Sequence, residues 1–175
     1  MTAETLSTSR RLTTGDIAAL YEDHITAIYR YCLARTGSPA EAEDLAAETF
    51  RAALESMADY DPDRGTTSVW LFGIARRKVA DHYRKAHPAL PLEWAENHPD
   101  QTTSSPEDAV DGRLTLAQAA AAMKRLTPDR AEALALHFFA GLDIGEVAVV
   151  MKRRPAAAKK LVQRGISDLR SILGG

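Results

Sequence analysis

One stretch constrains the fold more than any other, residues 68–87, with the sequence SVWLFGIARRKVADHYRKAH. Its apolar side chains recur every three or four positions, which predicts one amphipathic helix with a buried stripe made of Leu71, Ile74, Ala75 and Val79. Basic side chains lie off that stripe, and aromatic side chains stand near both ends of the helix. Because cations neutralise phosphates and aromatic rings stack on exposed bases, the pattern is typical of a helix that binds single-stranded nucleic acid. A solvated basic helix with a buried Trp70 is the alternative interpretation.

The rest of the sequence predicts an all-α fold. Ala, Leu and Arg are abundant, and no run of alternating Val, Ile and Thr indicates a strand. Residues 88–105 are rich in proline and acidic side chains and lack an apolar period, which indicates a linker. We therefore predict two small helical domains joined by a flexible acidic linker: a disordered tail at 1–13, a first domain at 14–87, the linker at 88–105 and a second domain at 106–175.

Helix-start signals refine this division. Ser38 is a predicted N-cap, Pro39 the first helical residue, and Glu41 the reciprocal half of a capping box. A similar signal at residues 105–108 predicts a fourth helix that continues through Leu126. The core candidates in the first two helices are Ile17, Leu20, Tyr21, Ile25, Ile28, Tyr29, Leu33, Leu45, Phe50, Ala53, Leu54 and Met57.

Charge is segregated along the chain, although the formal net charge is only −2. Residues 39–63 carry many acidic side chains and one basic side chain, Arg51, whereas residues 64–87 reverse the sign. Residues 88–112 contain no Lys or Arg, and the segment from residue 151 onward is basic again. Two basic surfaces separated by acidic segments predict two contacts with nucleic acid and at least one basic protein partner.

The second basic segment has the pattern of a helix-turn-helix motif. Asp143 and Glu146 predict the start of a short helix that ends near Met151, a basic turn follows at residues 152–154, and Pro155 starts a longer helix. The apolar face of the short helix is expected to pack on the long one. Six residues of the long helix are then available to DNA: Ala156, Ala157, Lys159, Lys160, Gln163 and Arg164.

Other classes of protein find little support. The single cysteine, Cys32, excludes an internal disulfide and a multi-cysteine metal site, and we expect it to pack in the core. The sequence has no membrane-length apolar run and no secretory signal, so we expect a cytoplasmic protein without membrane insertion. No catalytic, cofactor-binding or metal-binding residue is predicted. A helical hydrolase using His24, His82 or His137 is the enzyme alternative, but no nucleophile motif, metal-spaced His pair or glycine-rich phosphate loop accompanies these residues.

Taken in order, the segments resemble the extracytoplasmic-function (ECF) sigma factors of bacterial RNA polymerase. Residues 40–50, AEAEDLAAETF, and 70–85, WLFGIARRKVADHYRK, are similar to that family's DAEDLxQExF and WLxxIARNxxxDxxRK. Residues 126–165, LTPDRAEALALHFFAGLDIGEVAVVMKRRPAAAKKLVQRG, are similar to its LPxxxRxxxxLxxxxGxSxxEIAxxLxxxxGxVKxxxxRA. Two such motifs in this order and at this spacing are more specific than either motif alone.

The resemblance implies a transcription initiation factor that binds core RNA polymerase, recognises the minus-35 and minus-10 promoter elements and helps to melt DNA. The implied polymerase-binding residues are Glu41, Asp44, Glu48 and Arg51. The implied minus-10 residues are Arg64, Trp70, Arg76, Arg77, Lys78, Tyr83, Arg84 and Lys85. The implied minus-35 residues are Arg153, Arg154, Ala156, Ala157, Lys159, Lys160, Gln163 and Arg164. An anti-sigma factor that covers these surfaces is a further expected partner.

Three departures from the family pattern bear on specificity. A polymerase-facing Gln of the family is Ala47 here, a frequent Asn of its minus-10 pocket is Arg77, and the Gly before its recognition-helix lysine is Ala156. The promoter sequence therefore cannot be borrowed from relatives. The main alternative function is a helix-turn-helix regulator with an N-terminal dimerisation or sensing domain. An adaptor that binds polymerase without DNA is a further alternative, against which the two basic helices argue.

Overall fold

The computed structural model describes residues 11–86 and 115–174. Within these residues the chain forms seven α-helices and no strand, so the predicted all-α fold class is confirmed. The helices are α1 (Thr14–Thr36), α2 (Pro39–Glu55), α3 (Thr67–Ala86), α4 (Leu116–Met123), α5 (Pro128–Leu134), α6 (Ile144–Met151) and α7 (Pro155–Gly174). Two 3-10 turns, Met57–Asp59 and Pro62–Arg64, precede α3, and a π-helical turn, Ala135–Phe139, continues α5.

The junction between α1 and α2 shows one correct and one wrong prediction. Ser38 is the N-cap of α2, and its hydroxyl oxygen accepts a hydrogen bond from the Glu41 N–H at 3.4 Å. The reciprocal half of the predicted capping box is absent, because the Ser38 N–H donates to Thr36 Oγ1 at 3.3 Å. The Glu41 carboxylate lies 3.4 Å from His82 Nε2 instead, so it ties α2 to α3.

Helices α1 to α3 pack around a core that the apolar stripes predicted only in part. Most of the core candidates are buried or half-buried, but Tyr21 and Leu54 are 47% and 42% exposed, so both were wrongly assigned to the core. Tyr21 packs edge-on against Phe50, with 4.9 Å between the ring centroids, and Phe50 takes the buried position. Leu54 lies at the edge of the α2 stripe, one residue beyond the buried Ala53. Cys32 is fully buried, as predicted.

The fourth helix is shorter than predicted. Thr115 has an extended backbone and forms a complete capping box with Gln118, so the helix begins at Leu116. It ends at Met123, and Leu126 is buried in the turn that follows. The predicted start at residues 105–108 lies outside the described residues, as do the linker at 88–105 and residues 1–10 of the tail.

The predicted helix-turn-helix is present. Asp143 and Glu146 form the capping box of α6, and Lys152 makes the turn in the left-handed conformation with φ 55°. Val147 and Met151 of α6 are buried together with Ala158 and Val162 of α7. Helices α5 and α7 also approach closely, because a Cβ at Gly165 would lie 2.8 Å from Leu134 Cδ1. This close approach holds α7 in place from its inner side.

The two helical groups, α1 to α3 and α4 to α7, pack against each other. Helix α1 contacts α4 and the π-helical turn, and α3 contacts α6. Buried residues of both groups form one continuous apolar cluster. The predicted division into two domains left their relative arrangement open, and the structure places the second group directly on the first.

Candidate nucleic-acid interface

A groove of about 570 Å³ opens between the end of α2, the two 3-10 turns and α3. Its lining combines the aromatic Trp70 and three basic residues with four acidic residues, Glu55, Asp59, Asp61 and Asp81. The lining residues predicted to contact minus-10 DNA are Arg64, Trp70, Arg77 and Lys78. The combination of a ring with cations suits a single unstacked nucleotide.

The turns before α3 give the groove its shape. Asp61 caps the second 3-10 turn by accepting a hydrogen bond from the Asp63 N–H at 3.0 Å, and its carboxylate lies 3.6 Å from Arg64 Nε. The Tyr60 hydroxyl donates to the Gly65 carbonyl oxygen at 3.2 Å. Gly65 has φ 153°, which a side chain rarely adopts, so glycine is required for the chain to enter α3 at this angle.

Trp70 is half-buried at the groove, with its ring tilted against that of Tyr60 at a centroid distance of 5.5 Å. The pair combines packing with partial exposure of the indole. The polar Tyr60 hydroxyl is used within the turn, so the remaining surface of the two rings is mainly apolar. Tyr60 was not among the predicted site residues, and its place at the start of the polar turn that leads into α3 was the signal available for it.

The other predicted minus-10 residues lie elsewhere. Arg76 is turned toward the second helical group, with its Nε 3.7 Å from Glu132 Oε1. The Tyr83 hydroxyl donates to the Arg35 carbonyl oxygen, and Arg84 pairs with Asp81 on the same helix. Lys85 is exposed near the end of α3. The structure therefore brings four of the eight residues to the groove and distributes the other four along α3.

The predicted polymerase-binding residues lie on one face of α2, since they are spaced by three or four positions. Asp44, Glu48 and Arg51 are exposed, and Glu41 is partly covered by its contact with His82. The face is acidic for most of its length. Its assignment to polymerase remains a prediction.

The predicted minus-35 residues lie together on the outer side of the helix-turn-helix. All of them are exposed except the half-buried Ala157. Arg153 is held in the turn by Asp129, whose carboxylate oxygen lies 2.6 Å from the guanidinium. The remaining polar and basic side chains of this surface project from the first turns of α7, where a recognition helix contacts base edges. The surface is therefore suited to the major groove.

A buried polar cluster at the contact between the two groups was not predicted. Glu132 of α5 is only 6% exposed and accepts a hydrogen bond from the Tyr31 hydroxyl at 2.6 Å. Arg35 Nε lies 3.0 Å from its other oxygen, and Arg76 completes the cluster. A lone acid within the apolar run at residues 131–136 was the available signal, because such an acid is rarely buried without a partner.

Burial and charge shift the pKa values of this cluster. Burial raises the pKa of Tyr31 well above its ordinary value, and the Glu132 charge adds to that effect. Burial raises the pKa of the Cys32 thiol to about 12, again with a contribution from Glu132. Burial alone would lower the pKa of Arg35. The charge of Glu132 and the neighbouring tyrosines raise it by more, so the pKa of Arg35 is raised overall. Tyr31 and Cys32 therefore stay neutral and Arg35 stays charged at physiological pH.

Within residues 11–86 and 115–174, no group of His, Cys, Asp or Glu side chains has the arrangement of a metal site. In the same residues, no helix combines the length and the apolar character needed to cross a membrane.

Family models match both helical groups. The model of sigma-70 region 2 matches residues 20–88, and the model of sigma-70 region 4 matches residues 116–169. The ECF RNA polymerase sigma factor BldN of Streptomyces coelicolor is 35% identical over 155 residues, which cover 88% of this chain and 59% of BldN. The chain thus spans less than two thirds of that relative.

Two further relatives are similar over more of their own length. The RNA polymerase sigma factor CnrH of Cupriavidus metallidurans is 30% identical over 141 residues, which cover 76% of this chain and 73% of CnrH. The sigma factor RpoE from Bartonella quintana, solved in complex with the anti-sigma factor NepR, has a TM-score of 0.72 at 20% identity, covering 92% of this chain and 98% of that one. At that identity the structural similarity shows a shared fold. The two region matches and the relatives together show that this chain belongs to the ECF family of RNA polymerase sigma factors.

Proposed function

We propose that this chain is a bacterial transcription initiation factor that binds core RNA polymerase, recognises the minus-35 and minus-10 elements and helps to melt promoter DNA. One observation carries the proposal. A groove beside a basic helix and a helix-turn-helix with an exposed basic face occur in one chain, in the order of regions 2 and 4. A duplex-binding regulator needs the second feature but has no use for the first.

The groove is suited to the melting step. Unstacking bases costs a few kcal/mol per step, and stacking of a released base on an aromatic ring returns about 1–3 kcal/mol. Trp70 offers such a ring, while Arg77 and Lys78 line the same groove and would neutralise the backbone of the strand. Arg77 replaces a base-reading Asn of the family pattern, so we assign it to the phosphates or to a different base.

The helix-turn-helix supplies recognition of the duplex. In this proposal Lys159, Lys160, Gln163 and Arg164 contact the major groove of the minus-35 element, and Arg153 and Arg154 contact its phosphates. The small Ala156 and Ala157 let the start of α7 approach the bases closely.

The acidic face of α2 is the proposed docking surface for core polymerase. Asp44 and Glu48 present like charge to solvent on this face and would be complementary to a basic partner surface. An anti-sigma factor is a further proposed partner, because RpoE has been solved in complex with one. The proposed site of action is the cytoplasm, where polymerase and promoter DNA are found.

Run-off transcription with bacterial core polymerase on a promoter library tests the proposal. We expect transcripts only when this chain is added, and the selected promoters should share two separated elements. A chain that binds duplex DNA with equal specificity in the absence of polymerase, and that yields no transcript with it, would instead be a helix-turn-helix regulator.

A further inference from the structure

The turn of the helix-turn-helix contains a lysine in a conformation that favours glycine. Lys152 has φ 55° and ψ 45°, and within residues 11–86 and 115–174 it is the only residue other than glycine with a positive φ. The left-handed region brings the Cβ of an L-residue too close to the following carbonyl oxygen, so glycine adopts it far more readily than lysine does. The lysine therefore carries a cost in stability that a glycine would remove.

The local hydrogen bonds explain why the backbone adopts this conformation. Helix α6 ends in a Schellman motif, in which the Arg153 N–H donates to the Ala148 carbonyl oxygen at 2.9 Å and the Lys152 N–H donates to the Val149 carbonyl oxygen at 3.2 Å. These bonds satisfy carbonyl groups at the end of α6 and fix the chain reversal that leads into α7. The turn thus requires a left-handed residue at this position, but nothing in the turn requires that residue to be a lysine.

The charge of Lys152 is available to an external ligand. Lys152 is exposed, and no acidic side chain pairs with it in the part of the chain that the structure describes. The neighbouring Arg153, by contrast, shares its guanidinium with Asp129 at 2.6 Å. Of these two adjacent cations, Lys152 is the one whose charge the protein leaves unneutralised.

Lys152 also lies close to the point where α7 would enter the major groove. A recognition helix contacts base edges with its N-terminal residues, and α7 begins at Pro155, three residues after Lys152. Three residues span at most about 11 Å, and the major groove is about 12 Å wide between its phosphate edges. Because lysine carries its ammonium on a long flexible stem, Lys152 is within reach of a phosphate when α7 is seated in the groove.

We propose that Lys152 is a further phosphate-binding residue of the minus-35 surface, in addition to the residues of the turn and of α7 already assigned to it. The inference rests on the proposed function and adds one contact to it. Residues held in the left-handed region cluster at functional sites, where a binding role offsets the cost in stability. In this proposal the turn is less stable than it would be with glycine, and the lysine supplies a cation to the DNA backbone.

The test separates the lysine charge from the backbone conformation with three substitutions in the full chain. Lys152→Gly removes both the charge and the cost of the positive φ. Lys152→Gln keeps the long side chain and the cost of the positive φ and removes only the charge, whereas Lys152→Arg keeps the charge. Arg170→Ala is the matched control, since Arg170 is an exposed cation near the other end of α7.

Fluorescence anisotropy measures binding to a labelled duplex of about 30 base pairs, which is about three helical turns. The duplex is enriched by binding from a random library, once with the holoenzyme and once with the full chain alone. Each titration is repeated over a range of salt concentrations to give the salt slope. Thermal unfolding of the free protein gives the Tm of each variant.

We expect Lys152→Gly to raise the Tm by about 2–4 °C, because the strained residue is replaced by one that adopts positive φ freely. The same variant should lower the salt slope by about 0.9 and weaken binding about fivefold near physiological salt, because one phosphate contact is lost. Lys152→Gln should show the same loss of binding at the wild-type Tm. Lys152→Arg should keep the wild-type slope, and Arg170→Ala should leave the slope unchanged.

Opposite changes in Tm and affinity distinguish a binding residue from a structural one, since a variant that only damaged the turn would lose both. If Lys152→Gly lowers the Tm, Lys152→Gln decides the matter, because it leaves the backbone requirement as it is. A wild-type salt slope in Lys152→Gln would overturn the proposal. An equal fall in slope in Arg170→Ala would also overturn it, because the effect would then reflect overall charge and not a contact.

Run-off transcription with the same preparations separates this contact from the proposed function. If the wild type gives no transcript while Lys152→Gln lowers the slope on the duplex enriched with the full chain alone, the contact stands and the proposed function falls. If the wild type transcribes while Lys152→Gln keeps the wild-type slope, the function stands and the contact is wrong. A chain that enriches no duplex in either form would overturn both.

Discussion

Helices α3 and α7 are both basic, but their charged side chains have different surroundings. On α7, Lys159, Lys160 and Arg164 are exposed to solvent. On α3, Arg76 faces Glu132 and Arg84 pairs with Asp81. A count of charges treats the two segments as equivalent, whereas the potential that each offers to a ligand depends on which charges the protein already neutralises.

The difference follows from what each helix packs against. The inner face of α7 is closed by Ala158, Gly165 and Val162, small or apolar residues that leave its polar face outside. Helix α3 is covered by α1 and α2 and also by α6 of the second group. A basic residue on α3 therefore has both an external and an internal candidate partner. We expect the basic side chains of α7 to be available to DNA at once, whereas a basic side chain of α3 becomes available only when its internal partner releases it.

The largest expected effect comes from substitutions that remove the proposed melting function of the α3 groove and leave α7 unchanged. Trp70→Ala combined with Arg77→Ala should lower run-off transcription from a duplex promoter by about 100-fold, because the groove loses its stacking ring and one of its cations together. A promoter with a pre-melted bubble should recover most of this loss. Equal loss on duplex and bubble templates would show that the groove contributes affinity and not melting.

Trp70 also packs on Tyr60, so the combined variant needs a stability control. The thermal midpoint of Arg77→Ala alone should match that of the wild type. If Trp70→Ala unfolds the first group, the loss of transcription reports packing, and Arg77→Ala together with Lys78→Ala then tests the groove.

A second prediction compares glycines in the middle of the two helices. Gly165→Ala in α7 should destabilise the protein by about 1–3 kcal/mol, because the added Cβ would overlap Leu134. Gly73→Ala in α3 should instead stabilise it by about 0.5–1 kcal/mol, since no atom lies within 4 Å of the added Cβ and alanine favours the helix. Urea unfolding measures both changes. Equal shifts in the two variants would contradict the difference in packing between α3 and α7.

The third prediction concerns the external surface of α7. Lys159→Ala with Lys160→Ala should weaken holoenzyme binding by about tenfold and lower the salt slope by about one unit for each phosphate that a lysine no longer neutralises. The weakening should depend on the minus-35 element and should persist on a bubble template. A promoter with a scrambled upstream element therefore serves as the control. If the bubble template restored binding, α7 would contribute to melting, and the proposed difference in role between α7 and α3 would be wrong.

The sequence predicted α1, α3, α6 and α7 within a few residues because each has a specific start signal or a long apolar period. It predicts the fourth helix less well, because Thr115 lies within the predicted helix but has an extended backbone and forms a capping box with Gln118. The basic helix beside the groove was predicted, but Tyr60 was not among the predicted site residues. The roles predicted for the site residues stay predictions.

The Glu132 cluster could not be predicted from periodicity, because it depends on how two separately patterned groups meet. Tyr31 lies off the apolar stripe that the sequence indicated for α1, yet it is fully buried because Glu132 satisfies its hydroxyl. The sequence likewise predicts that Arg76 belongs to an exposed basic face, because it does not show that Glu132 of a distant segment lies beside it. Local patterns report which face of a helix is apolar, and they do not report which polar groups a distant segment will neutralise.

The smallest effect at neutral pH concerns the buried residues behind α3. Cys32 has a pKa raised from 9.0 to about 12, mainly by burial, and the pKa of Tyr31 is raised for the same reason. The folded state therefore keeps these protons at pH values where the unfolded chain has released them. The contribution of Cys32 to stability is complete below about pH 9 and is lost as the pH rises toward 12. Cys32→Ala should cost about 1 kcal/mol at pH 7 through poorer packing and should flatten the alkaline fall in stability by one proton. Urea midpoints measured at intervals from pH 8 to pH 11 give that slope. An unchanged slope in Cys32→Ala would show that burial does not hold the proton of this thiol in the folded state.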